Sequence, residues 1–312
     1  MNNFYSTGID LGGTKIESIV FDSRGGQVFR KRIPSPQGSY TDTVSAITEL
    51  VLEADKHVHE ITKVGIGIPG ALSEKTGLVK NSNSTWLIGK PLKLDLEYSL
   101  KRHIKIENDA NCFTVSEAVD GAGAQAHVVF GVILGTGVGG GITINAKPLR
   151  GINSIAGEWG HNPLPWTSEQ ELNQNKCYCG KRGCIETFLS GPAIEKNYYK
   201  KTGKVLNVEN ILALSEAGDL NAQAIFNEFE IHLAKGLAQI INVLDPELIV
   251  IGGGLSNISR LYGNTANRWD EYIFSDRINT KLVPAQHGDA SGVRGAAWLW
   301  NCLLYTSDAA DE

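Results

Sequence analysis

The chain has 312 residues, of which 42% are hydrophobic and 20% charged, and a formal net charge of -5. That length and balance suit two soluble domains rather than one small one. The acidic balance, without a long basic run, argues against nucleic acid or an anionic membrane as partner. No apolar run reaches the roughly 18 residues of a membrane span. Residues 1–6 lack the basic and apolar regions of a signal peptide, so the cytoplasm is the expected compartment.

In chain order, residues 4–11 read as a strand ending in a glycine turn. Residues 15–22 and 28–33 follow as strands around Arg24-Gly25-Gly26, which at this range makes antiparallel hairpins. Residues 40–58 have a helical period, with Val44, Ile47, Val51 and Ala54 on one face and Thr41 or Asp42 as cap. Residues 63–68 form a strand stopped by Pro69-Gly70. The second half repeats the logic, with strands at 127–134 and 138–144 around another glycine turn. A long helix follows at 222–244, striped with Ile225, Phe229, Leu233, Leu237, Ile240 and Leu244. Residues 248–251 are a buried strand running into Gly252-Gly253-Gly254, and residues 292–304 a last helix. This mixture predicts an α/β protein with mixed sheets. Gly8-Ile9-Asp10-Leu11-Gly12-Gly13-Thr14 echoes Gly131-Val132-Ile133-Leu134-Gly135-Thr136-Gly137, which suggests two related halves. Residues 305–312 have no apolar period and read as a frayed or non-native tail.

Three strand-end glycine turns are candidate nucleotide contacts. At Asp10-Leu11-Gly12-Gly13-Thr14-Lys15 the glycines let backbone approach a phosphate, the N–H groups and the Thr14 hydroxyl can donate, and Asp10 can hold magnesium. Gly135-Thr136-Gly137-Val138-Gly139-Gly140-Gly141 is costly to order, and close approach of a ligand would explain it. At Gly252-Gly253-Gly254 a flat ring could lie on bare backbone. A plain hairpin turn competes with each reading taken singly. The spacing fits neither a Gly-x-x-x-x-Gly-Lys-Ser/Thr loop nor a dinucleotide fingerprint.

Glu107-Asn108-Asp109-Ala110-Asn111 allows two readings. Asn108 or Asp109 caps a helix, or Asp109 is the general base that accepts a hydroxyl proton in phosphoryl transfer. Glu158 and His161, three residues apart, share a face if the segment is helical. His161 with Cys177, Cys179 and Cys184 completes a Cys3His set, a closed tetrahedral zinc site of structural type. Such a zinc would orient Glu158 and Glu186. Cys112 and Cys302 read as small core residues. Trp86, Trp159 and Trp166 fit a sugar cleft or a core. The other histidines, His232 and His287 among them, show no partner pattern.

Together these motifs resemble the ROK family of bacterial sugar kinases and regulators, over nearly the whole chain. Asp10 to Lys15 resembles its first phosphate motif, Gly135 to Gly141 its second, and Gly252 to Gly254 its adenosine motif. Glu158-Trp159-Gly160-His161 is similar to its Glu-x-Gly-His, and Cys177 to Glu186 to its zinc signature. The resemblance implies two ribonuclease-H-like domains of the actin/hexokinase-like ATPase fold, with an interdomain cleft. A smaller domain of residues 1–115 plus 292–304 would carry the first motif and Asp109, and residues 116–291 the rest. It implies Asp109 as catalytic base and hexose contacts from Asn83, Asn108, Asp109, Glu158, His161 and Glu186. Nucleotide contacts would come from Asp10, Gly12, Gly13, Thr14, Lys15, Gly135, Thr136, Gly137, Gly253 and Gly254. ATP, Mg2+ and a structural Zn2+ are the expected cofactors, and a homodimer the expected assembly. Asn81-Ser82-Asn83-Ser84-Thr85-Trp86-Leu87, His161-Asn162-Pro163-Leu164-Pro165-Trp166 and residues 287–300 resemble bacterial fructokinases that also accept mannose. Fructose to fructose 6-phosphate is thus the expected reaction, with glucose or an N-acetylated hexosamine as the alternative acceptor. A sugar-sensing repressor is disfavoured, because Asp10 stands too near the start for a preceding helix-turn-helix and no basic recognition helix is visible.

Overall fold

The computed structural model describes residues 4–300. They fold into two compact units. The first takes the chain up to His127, Gly141–Ala156 and the stretch from Gln286 onward, and the second takes Val128–Gly140 and Gly157–Ala285. Among the described residues no helix is long and apolar enough to cross a membrane.

The first unit is built on a five-stranded sheet in the order Gln27–Pro34, Lys15–Phe21, Ser6–Leu11, Lys63–Ile68, Ile104–Asn108. The first two pairings are antiparallel, as short hairpins require, and the last two are parallel. Period-two alternation gives the sheet two unlike faces. Ile9, Leu11, Ile66, Ile68, Ile104 and Ile106 pack with Ile47, Leu50 and Val51 of the helix Tyr40–Val58 and Leu92 and Leu96 of the helix Leu92–Leu100. On the other face the strands carry glycine so that a helix can sit on bare backbone. A Cβ at Gly8 would collide with the Val293 carbonyl, and one at Gly65 with the Ala296 carbonyl, both in the helix Ser291–Trp298. That helix also packs on Cys112 and Val115 of the helix Asp109–Asp120, which runs unbroken through position 115.

The second unit holds a parallel set of Val128–Leu134, Leu248–Gly252 and Lys281–Pro284. The long helix Leu220–Leu244 buries Ile225, Phe229, Leu233 and Leu237 as expected. It starts two residues before the predicted 222, because the Asp219 carboxylate caps it by accepting the Ala222 N–H (2.8 Å).

Three expectations change. The helix Tyr40–Val58 is capped by Ser39, whose hydroxyl accepts the Asp42 N–H (3.3 Å), rather than by Thr41 or Asp42. The last helix ends at Trp298; Cys302, residues 301–304 of the predicted helix and the tail at 305–312 lie outside the described residues. The run Gly135 to Gly141 is not one ligand loop, since Gly139, Gly140 and Gly141 lie within the strand Val138–Ile144. A Cβ on Gly140 would meet the Trp159 indole and the Gly157 carbonyl, and one on Gly141 the Ala110 carbonyl. Close packing of protein on protein, not of a ligand, sets those two positions.

Candidate functional site

In the first unit, Ser6–Leu11 and Lys15–Phe21 pair up to Leu11 opposite Ile16. The chain reverses through Gly12, Gly13 and Thr14, with the Gly12 N–H donating to the Lys15 carbonyl (2.9 Å). Gly13 and Thr14 are exposed, so their N–H groups and hydroxyl can reach a solvent-borne anion. Gln37 donates to the Gly13 carbonyl (2.9 Å) and the Ser35 N–H to the Thr14 carbonyl (3.0 Å), which fixes the turn. Asp10, next to last in its strand, lies beside Gly292. Burial, and then the negative charge of Asp109, push its carboxyl up from 3.8 to about 7. A buried carboxylate beside a second negative charge is the kind of oxygen donor that a hard divalent cation suits.

Of the two capping candidates, the structure assigns the cap to Asn108. Asn108 is the N-cap: its Oδ1 accepts the Ala110 N–H (2.9 Å) and the Asn111 N–H (3.3 Å). Its Nδ2 donates to the Gly70 carbonyl (3.0 Å), at the turn that stops the neighbouring strand. Asp109 is the first helical residue, half-buried, with Oδ1 accepting the Ala110 N–H (2.9 Å). Its position in the first turn suits a carboxylate electrostatically. Asn83 lies exposed on the loop before the short 3-10 turn Thr85–Leu87.

One pair here has no signal in the sequence. Glu107, buried, receives the Asn108 N–H (3.0 Å), the Asn111 side-chain amide (3.0 Å) and an ion pair from Arg150. Arg150 also donates to the Ile106 carbonyl (3.2 Å). Glu107 stands inside the motif already singled out, whereas Arg150 lies 43 residues away in a loop of no recognisable pattern. The pair holds the strand end from which Asn108 and Asp109 emerge.

In the second unit, the turn Gly135-Thr136-Gly137 follows the strand Val128–Leu134. The Gly135 N–H donates to the Gly137 carbonyl (3.0 Å), and the Gly191 N–H at the start of the helix Gly191–Thr202 donates to the Gly135 carbonyl (2.8 Å). Thr136 is exposed at the tip. Glu186, at the start of the short helix Glu186–Leu189, accepts the Val138 N–H on Oε2 (3.0 Å) and lies so close that a Cβ on Gly137 would meet it. Glu186 therefore links the cysteine segment to the glycine turn. Gly253 adopts φ 82 and abuts the Leu134 carbonyl, where only glycine fits, while a Cβ on Gly254 would meet nothing. Within the third turn, Gly254 faces open space.

Glu158 precedes the 3-10 turn Trp159–His161, a single tight turn rather than an α-helix. Trp159 is buried and donates to the Gly139 carbonyl (2.9 Å), so it is core; Trp166 is half-exposed and packs at a tilt against Tyr272. The ligand atoms of His161, Cys177, Cys179 and Cys184 all lie within 4.8 Å of one another. His161 Nδ1 is 3.5 Å from Cys177 Sγ, and Cys179 Sγ is 3.6 Å from Cys184 Sγ. Tetrahedral zinc with ordinary bond lengths places such atoms about 3.6 Å (S to N) and about 3.8 Å (S to S) apart, so the set fits that ion. The other ring nitrogen of His161 faces the Tyr178 hydroxyl (3.0 Å), a partner the sequence did not suggest.

A pair of units, each built on a parallel-containing sheet with a glycine turn at a strand end, is an actin/hexokinase-like ATPase fold. The chain belongs to the ROK family, whose model matches residues 6–302. It is 40% identical to the N-acetyl-D-glucosamine kinase of Pectobacterium atrosepticum over 94% of this chain and 97% of that one. It is 42% identical to the enzyme of the same name from Salmonella paratyphi B over 94% and 98%. Among solved structures, a ROK hexokinase from Thermus thermophilus matches with TM-score 0.85 and 26% identity, over 95% and 97%. A ROK family glucokinase from Streptomyces griseus, in complex with glucose and AMPPNP, matches with TM-score 0.74 and 28% identity, over 95% and 98%. Those two relatives are named for N-acetyl-D-glucosamine, not for the fructose expected from residues 81–87, 161–166 and 287–300.

Proposed function

We propose that the chain transfers the γ-phosphoryl group of ATP to a hydroxyl of a free hexose, with N-acetyl-D-glucosamine as the preferred acceptor. The observation that carries this reading is near end-to-end similarity, at 40% and 42% identity, to two kinases of that sugar. The local chemistry supports it. Asp109 accepts the proton of the attacking hydroxyl, and phosphoryl transfer asks little else of the protein beyond positioning and charge. The turns at Gly12-Gly13-Thr14 and Gly135-Thr136-Gly137 offer N–H groups and hydroxyls to phosphate oxygens. Asp10 would hold magnesium, which when bound neutralises phosphate charge. Asn83, Asn108, Glu158, His161 and Glu186 offer acceptors and donors for sugar hydroxyls. Zinc on His161, Cys177, Cys179 and Cys184 would have no open position and would serve to fix the segment that carries Glu186.

Fructose is the second reading, resting on the sequences at residues 81–87 and 161–166. A coupled assay of ADP release over N-acetylglucosamine, fructose, mannose and glucose separates the two. The highest kcat/KM is expected for N-acetylglucosamine. A fructose value ten times higher would exchange the readings, and no sugar-dependent ADP with any hexose would end both.

A further inference from the structure

Beyond the four-ligand cluster, a second set of metal-ligating side chains converges in the second unit. Glu171, Glu228 and His232 bring one ligand atom each within 4.8 Å of one another. Glu228 and His232 lie four residues apart on the helix Leu220–Leu244, a spacing that puts both on one face. Glu171 comes from the short helix Glu169–Gln174, in the segment that joins His161 to Cys177.

Two of the three members are oriented by the protein. Glu171 completes a capping box: its Oε2 accepts the Ser168 N–H (2.7 Å) and hydroxyl (2.8 Å), which leaves Oε1 turned to His232. The His232 side chain is 4% exposed, and its ring sits edge-on against Phe188 with centroids 4.9 Å apart. Its Nε2 points into the cluster, 3.0 Å from Glu171 Oε1. Glu171 and Glu228 bring two carboxyl groups to one buried imidazole, and the ammonium of Lys235, on the same helix, is engaged by the Trp166 carbonyl (2.8 Å). The 3.0 Å separation is that of a hydrogen bond; two donors at about 2.1 Å on a tetrahedral ion stand about 3.4 Å apart, so a small opening admits the ion.

We propose that Glu171, Glu228 and His232 bind a divalent transition-metal ion, independently of the four-ligand cluster, and so fasten the short helix Glu169–Gln174 to the long helix Leu220–Leu244. The imidazole donor favours zinc, cobalt or nickel over magnesium or calcium. Three protein ligands leave positions for water, so the ion is exchangeable and serves as a removable clip on the segment between His161 and Cys177.

The test uses the full chain, stripped with a chelator and titrated with cobalt, read by elemental analysis and absorption. Cobalt on cysteine gives intense thiolate charge-transfer absorption, whereas cobalt on oxygen and nitrogen gives none. The wild type is expected to take up one cobalt equivalent without thiolate absorption. Glu228→Gln, at an exposed position whose change leaves the core intact, loses that equivalent, with affinity down by more than about tenfold; Ser168→Ala, which frees Glu171 from its cap, weakens it by about tenfold. The thiolate signal stays unchanged in both. His232→Gln gives the same loss if it folds. A wild type whose only bound cobalt shows thiolate absorption overturns the proposal, and so does a Glu228→Gln chain that keeps the second equivalent at unchanged affinity.

Discussion

The two glycine turns look alike in sequence and differ in what stands beneath them. Under Gly137 the carboxylate of Glu186 accepts the Val138 N–H and is satisfied by the turn itself. Beside Gly12 the carboxylate of Asp10 is desolvated and faces the charge of Asp109, so that its ionisation is opposed. One carboxylate holds the loop in shape, and the other is kept costly until something positive neutralises it. Strain of that electrostatic kind is expected where a ligand supplies the missing charge.

The largest test of this contrast is Asp109→Asn. Removal of the base should lower kcat by about 10²- to 10⁴-fold with little effect on the KM for ATP. Because the amide oxygen can still accept the Ala110 N–H, the thermal midpoint should hold. A kcat within about twofold of wild type removes Asp109 from the chemistry.

Next comes Asp10→Asn, read as stability against pH. The folded-state value of about 7 lies above the ordinary 3.8, so the folded chain keeps a proton that the unfolded chain has lost. Stability from this group is therefore full below 3.8 and falls as pH rises towards about 7. The displacement corresponds to at most roughly 4 kcal/mol. Urea denaturation should show the asparagine variant more stable than wild type at pH 8 and similar at pH 4. Magnesium should recover stability in the wild type alone. A wild type with no loss between pH 4 and 7 contradicts the opposed ionisation.

Legibility in the sequence followed the same divide. Strand and helix periods placed Lys63–Ile68 and Tyr40–Val58 correctly, because buried faces repeat within one element. The cysteine cluster was legible because its ligands are close in sequence and its chemistry is narrow. Arg150 was invisible, because its partner Glu107 is brought to it by tertiary structure alone. The glycines misled in the other direction. Gly140 and Gly141 suit ligand contact in sequence, yet a Cβ at either would meet backbone or an indole of its own unit. A missing Cβ reports close approach and does not say of what.

Arg150→Ala probes the support of Asp109 from outside the motif. It leaves Glu107 buried, though still bonded to Asn108 and Asn111. With half the arginine in solvent, a stability loss of about 1–3 kcal/mol is expected. If the pair positions Asp109, kcat falls while the KM for ATP holds, and Arg150→Lys restores part of it. A stability loss with unchanged kcat would make the pair structural only.

Glu186→Gln should have the smallest effect and is the sharpest test of the contrast. The amide oxygen can still accept the Val138 N–H, so the loop keeps its shape and stability changes by less than about 1 kcal/mol. A neutral acceptor binds a sugar hydroxyl less strongly than a charged one, so the KM for the hexose should rise about three- to tenfold. Glu186→Ala separates the two duties. It strands the Val138 N–H at a cost of about 1–3 kcal/mol, and it should raise the KM for ATP as well, because the turn that faces the phosphates loses its brace. Were the glutamine variant to disturb the nucleotide as much as the alanine variant does, the charge of Glu186 and not its acceptor oxygen would matter. The two turns would then be alike in kind, each a carboxylate waiting on a ligand.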